Sequence, residues 1–165
     1  ISNELNLTVV EQNTVVGSIY VAAAIGAALG GIICDLKGRK TVILITDIIF
    51  ALGAIILALS RNVVLIFLGR VVVAFGVAIS SIADVAYLHE ISPKNLRGSF
   101  VSCNEACICL GFVLAYALDY LINLRFPECG WRVIFVVSAI IAIFQLWGMF
   151  YMPESPVWLY SKGMI

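Results

Sequence analysis

Hydrophobic positions run along this chain in five long blocks, separated by short clusters that hold most of the polar and charged residues. The blocks extend approximately over Val15–Cys34, Thr41–Ser60, Val63–Leu88, Ser99–Ile122 and Val133–Met152. Each approaches or exceeds the ~20 apolar residues with which a helix crosses a hydrocarbon core. Apolar and polar residues do not alternate within them, as the strands of a membrane barrel would require, and any other backbone would leave its polar groups unpaired in lipid. The pattern therefore predicts an all-α membrane protein, a polytopic bundle of five transmembrane helices.

Composition supports the same class. Of 165 residues, 62% are hydrophobic and 12% charged, against roughly 25% charged in a soluble domain, and the mean hydropathy is +1.08. A water-soluble globule is excluded. Ten basic and ten acidic residues leave no net charge, so no basic field exists to hold nucleic acid. The five cysteines, Cys34, Cys103, Cys107, Cys109 and Cys129, have neither zinc-site spacing nor the pattern of a disulfide framework, and are read as small apolar fillers. No metal or cofactor is implied. The chain starts at Ile1 without a signal-peptide pattern and is read as a piece of a longer one.

The position of the basic residues predicts orientation. Lys37, Arg39, Lys40, Lys94, Arg97 and Lys162 fall on one side, Arg61, Arg125 and Arg132 on the other, and Arg70 inside a block. Six against three places the first side in the cytoplasm. Residues 1–14 then form the extracellular end of a first loop, 15–152 the membrane helices, and 153–165 the start of a cytoplasmic linker. Asn6-Leu7-Thr8 is a glycosylation sequon on the external side. An external start implies a preceding helix.

Ionisable residues at membrane depth are expensive and so are candidates for function. They are Asp47, Arg70, Asp84, Glu105 and Asp119. In the fourth block Ser102, Glu105, Cys109, Phe112, Tyr116 and Asp119 share one helix face, and Asn104, Ile108, Gly111 and Ala115 the adjacent one. This predicts a polar lining for a wet cavity or for partner helices. At ~1.5 Å per residue Arg70 lies about 10 Å below the outer surface and Glu105 about 10 Å above the inner one, so the two are not expected to touch. Asp47, Asp84 and Asp119 are expected to be satisfied by hydrogen bonds or by reaching the interface. Ala22, Gly26 and Gly30, four residues apart, predict close helix packing.

The loops are more specific. Gly31 to Lys40 reads GIICDLKGRK, Glu90 to Gly98 reads EISPKNLRG, and Pro153 to Leu159 reads PESPVWL. Their charges on one side predict an ion-pair latch of Asp35, Arg39, Glu90, Arg97 and Glu154 between helix ends, of the kind a conformational switch makes and breaks. With Gly69-Arg70 and Gly130-Trp131-Arg132, these motifs resemble those of the sugar porters of the major facilitator superfamily, most closely the class III facilitative glucose transporters. Two positions depart from the pattern: Leu36 stands where the family has a base, and Val157 where it has arginine.

The resemblance implies helices two to six of a twelve-helix carrier that binds a monosaccharide between two six-helix halves. A preceding first helix and a C-terminal half would be its partners, together with the lipid bilayer. In the family a glutamine of the fifth helix binds sugar hydroxyls, and its position here is Glu105, preceded by Asn104, with Ile108 and Phe112 as apolar lining. A carboxylate can also accept from hydroxyls. Proton-coupled members pair a first-helix acid with the arginine matching Arg70, so Arg70 and Glu105 are the candidates for proton coupling. The expected function is hexose transport, facilitative or proton-coupled, in the plasma membrane or an endomembrane. A polyol or inositol proton symporter and a non-transporting sugar sensor remain alternatives. An enzyme is not expected: the only histidine, His89, sits at a helix edge.

Overall fold

The computed structural model describes residues 9–60, 62–125 and 130–163. The sequon at Asn6, the base Arg61 and Cys129 lie outside the described residues. Among the described residues six helices follow one another: α1 (Val9–Lys37), α2 (Arg39–Ala58), α3 (Val63–Ile91), α4 (Arg97–Arg125), α5 (Gly130–Phe150) and the short α6 (Pro156–Ser161). The first five are each long and apolar enough to cross a membrane. All five predicted spans are present, and most run further into the polar clusters than hydrophobicity alone indicates, because a helix does not have to stop where the membrane does. The sixth helix was not anticipated.

Local chemistry sets the breaks. Gly38 alone separates α1 from α2, at φ 93°, a region open to glycine because it has no Cβ. At the end of α3, Ser92 turns into extended backbone while its N–H still donates to Leu88 O at 3.1 Å, and Pro93 then prevents continuation. Helix α6 starts with Pro156 just inside it, and the Ser155 hydroxyl accepts from Trp158 N at 3.4 Å, an N-cap arrangement.

Helix α3 is the centre of the bundle, packed along its length against α1 on one side and α2 on the other, while α5 packs on α2. The predicted small-residue stripe lies at the α1–α3 contact. A Cβ on Gly26 would stand 3.0 Å from both Phe75 O and Ala78 Cβ, and one on Gly30 3.1 Å from Ile82 Cδ1. The α2–α3 contact uses glycines outside the predicted small-residue stripe: a Cβ on Gly53 would meet Val73 Cγ2 at 2.6 Å, and one on Gly69, named above only as part of a motif, would meet Leu57 Cγ at 2.7 Å. Between lipid-facing helices such close approach supplies dispersion contacts in place of a hydrophobic drive. The tightest apolar cluster, formed by Cys34, Val42, Ile43, Ile79, Ala83 and Tyr87, sits where α1, α2 and α3 converge near the basic end. Helix α4 touches α3 and α5 more sparsely and has no buried residue.

Candidate functional site

Two polar features stand out in this apolar bundle, a cavity at membrane depth and a network that ties helix ends together at the basic end. The cavity, about 540 Å³, opens between α2, α3, α4 and α5. Helix α4 contributes Asn104, Glu105 and Ile108 to its wall, so the face expected to carry a solute is turned toward a space of small-molecule size. Further residues of that helix differ from expectation. Phe112, expected as apolar lining, is not part of the wall and is 61% exposed. The other residues of the two expected faces, Ser102, Cys109, Gly111, Ala115, Tyr116 and Asp119, are also off the wall. The physical reason is the loose contact of α4 with its neighbours, which leaves most of its circumference uncovered.

The opposite wall carries acids that were expected to be locally satisfied. Asp84 on α3 is satisfied in part, since the Ser80 hydroxyl donates to its Oδ2 at 3.0 Å. Asp47 on α2 is 5% exposed and its Oδ2 is buried with no hydrogen-bond partner among the described residues, which departs from that expectation. Asp119, near the other end of α4, is exposed and accepts from Asn123 Nδ2 at 2.9 Å. Arg70 stands apart from the cavity and from Glu105, as depth predicted. Its guanidinium lies 5.9 Å from the centre of the Phe135 ring, and its Nε is buried without a partner among the described residues.

At the basic end Arg39 is the hub. Its Nη2 lies 3.1 Å from Asp35 Oδ1 and 3.0 Å from Glu90 Oε1, its Nε donates to the same Glu90 oxygen at 3.1 Å, and its Nη1 donates to Cys34 O at 3.2 Å. The other Glu90 oxygen accepts a short hydrogen bond from the Ser155 hydroxyl. Glu154 accepts from Lys40 N at 2.9 Å and from Ser155 N at 3.0 Å. Three of the five expected latch residues, Asp35, Arg39 and Glu90, thus form one ion-paired group, and Glu154 joins it through backbone donors. Arg97 does not: it donates to Ser92 O at 3.4 Å and makes no ion pair among the described residues. It sits at the first position of α4, beyond the Pro93 turn, and that turn carries it away from Glu90.

Sequence reasoning missed several contributors. Tyr87 donates through its hydroxyl to Pro153 O at 2.7 Å, Trp158 Nε1 donates to Asp35 O at 3.1 Å, and Lys40 Nζ donates to Phe150 O at 3.0 Å. A buried tyrosine such as Tyr87 requires such a partner, which is the signal that could have found it; Trp158 and Lys40 make their bonds at exposed positions and carry no such signal. Together these bonds clamp the segment 153–161 across the ends of α1, α2 and α3.

The sequence and the fold were compared with known proteins. A family model described as "Sugar (and other) transporter" matches residues 2–165. The probable inositol transporter 2 of Arabidopsis thaliana is 42% identical over 156 residues, covering 92% of this chain and 26% of that protein. The human facilitated glucose transporter member 12 is 33% identical, covering 96% of this chain and 25% of that protein. The chain spans about a quarter of the length of these curated relatives. Among solved structures, the major facilitator superfamily proton:xylose symporter XylE, bound to 6-bromo-6-deoxy-D-glucose, superposes with a TM-score of 0.86 at 27% identity over 96% of this chain and 39% of that one.

Proposed function

The chain belongs to the sugar (and other) transporter family, and on that premise we propose that it supplies helices two to six of a twelve-helix carrier that moves a hexose or a related polyol by alternating access. The observation that carries this reading is the cavity wall on α4, where Asn104, Glu105 and Ile108 are presented together. A carboxylate accepts from two neighbouring hydroxyls, an amide both donates and accepts, and the isoleucine covers the apolar face of the ring. This is recognition of a neutral polyhydroxy compound. It makes and breaks no covalent bond, so the reading is a carrier and not an enzyme.

In this reading the network around Arg39 is the cytoplasmic gate. Its ion pair and hydrogen bonds join α1, α2, α3 and the segment that follows α5, so parting them opens that end of the carrier to the cell interior. Residues 1–14 face outside, with Asn6 open to glycosylation, in the plasma membrane or an endomembrane. Arg70, whose Nε lacks a partner, is the site for an acid on a preceding helix, and Glu105 is a second candidate for proton coupling.

The test is solute uptake by the full-length protein in proteoliposomes, with labelled glucose, xylose and myo-inositol as probes. Glu105→Ala is expected to lower uptake at least tenfold, and Glu105→Gln to retain a larger share, because an amide still accepts. Wild-type protein that moves none of the three probes would leave a sensor as the better account. An inositol or polyol symporter is the second reading. The identity to the Arabidopsis relative favours it, and it predicts that myo-inositol is the best of the three probes and that uptake rises with an inward proton gradient. Uptake by Glu105→Gln that keeps the wild-type pH dependence would remove Glu105 as the coupling group.

A further inference from the structure

The cavity holds more acid than a polyol site explains. Asp47, Asp84 and Glu105 reach its wall from three different helices, and no basic side chain lines it. The remaining wall helix, α5, contributes no charged side chain, only the neutral polar Ser138 and Gln145 and the apolar Ile141 and Ala142. From α1, the buried thiol of Cys34, 3% exposed, packs with Ile79 and Ala83 of α3. Neither nearby arginine can compensate. Arg39 is taken up by Asp35 and Glu90, and Arg70 lies about 21 Å from Asp84 along α3 at ~1.5 Å per residue.

Asp47 gives the second, independent observation. It is 95% buried, at 5% relative exposure, in the wall of this cavity, and its Oδ2 has no hydrogen-bond partner among the described residues. An ionised, unpaired oxygen in that position is far more costly than a neutral one. Two carboxyl groups in one low-dielectric space, without a counter-charge, are stable when they hold a positive charge between them. No three acidic, cysteine or histidine side chains among the described residues converge closely enough to hold a metal ion.

We propose that the cavity is a proton site, in which Asp47 carries a proton as a neutral acid and exchanges it with Asp84 and with water at the open mouth beside Glu105. On release the Oδ2–H bond of Asp47 breaks, its electron pair stays on the oxygen, and the proton passes to water. On return the same bond forms again. This site is separate from Arg70 and from Glu105 as coupling groups. Its link to solute movement rests on the carrier reading, whereas the resident proton does not.

The decisive experiment is infrared spectroscopy of the full-length protein in lipid at neutral pH. The wild type is expected to show the carbonyl band of a protonated carboxylic acid, shifted in deuterated buffer and absent in Asp47→Asn. A wild-type spectrum without such a band overturns the proposal whether or not that variant folds, and so does a band that persists unchanged in a folded Asp47→Asn protein. In proteoliposomes, uptake by the wild type is expected to vary from mildly acidic to mildly alkaline pH, and residual exchange by Asp47→Asn to be flat over the same range. Uptake that follows sodium instead of pH would assign the site to a metal cation and overturn the proposal. A protein that shows the band but moves no solute would refute the carrier reading alone.

Discussion

Gly38 illustrates how much one residue does here. It is the whole connection between α1 and α2, at a φ of 93°, and a Cβ there would stand 2.7 Å from Glu154 Oε2. Substitution is therefore opposed twice, by the backbone conformation and by the carboxylate that accepts from Lys40 N. Gly38→Ala is expected to destabilise the full-length protein by about 1–3 kcal/mol and to lower its thermal midpoint in detergent. Gly31→Ala, seven residues earlier, meets nothing within 4 Å and is expected to be neutral or slightly stabilising, since alanine is the better helix former. Equal midpoints for the two variants would contradict this account. At the same scale, Asp35, Arg39 and Glu90 were legible from sequence because each lies in a short loop motif with few alternative partners. Ser155 and Tyr87 were not. Their partners, Glu90 and Pro153 O, lie 65 and 66 residues away in the chain, and only the packing of helix ends brings them within reach.

Helices themselves were the easiest elements to read, since five uninterrupted apolar runs admit little else. Their neighbours were only partly legible. The Ala22, Gly26 and Gly30 stripe foretold a close contact on α1, but nothing in its spacing named α3 as the partner. Gly53 is the one glycine of α2, and the Gly69–Gly76 pair of α3, seven residues apart on one face, did not by itself name α2 as its partner. Both contacts make the same prediction: Gly26→Leu and Gly53→Leu force large side chains into backbone or a β-branched neighbour, with an expected cost of about 1–3 kcal/mol or more each. Gly111→Leu, in open space on α4, is expected to be tolerated. Thermal unfolding of the three variants, compared with expression in the membrane fraction, checks the order. The opposite order would mean that α4 is the tightly held helix.

For the whole molecule, charge placement and loop motifs carried most of what could be read, namely the class of protein, its end-to-end polarity and the family resemblance. The cavity could not be read, because its wall is assembled from single residues on four helices whose rotations are set by packing. Asp47 was recognisable as an intramembrane acid, yet the sequence could not reveal that its Oδ2 would lack a partner. The network at the basic end makes a prediction at this scale as well. Glu90→Gln keeps a partner for Ser155 but removes the ionic component of the Arg39 bonds, hydrogen bonds to charged groups being worth ~1.5–3 kcal/mol. In the full-length carrier this is expected to shift the population toward states in which the basic end is open. The shift should be visible as faster labelling of a cysteine placed behind the network, and unchanged labelling would argue for a purely structural role.

The loose fit of α4 has a consequence for chemical probing. Of the four cysteines among the described residues, Cys103, Cys107 and Cys109 are exposed on that helix and Cys34 is buried. A membrane-permeant maleimide should therefore react on α4 and spare Cys34. The protein carries natural reporters on the helix that lines the cavity, at two different angles around its axis. Their relative protection in the full-length protein, with and without a candidate sugar, would trace which sides of α4 are covered, with no engineered label.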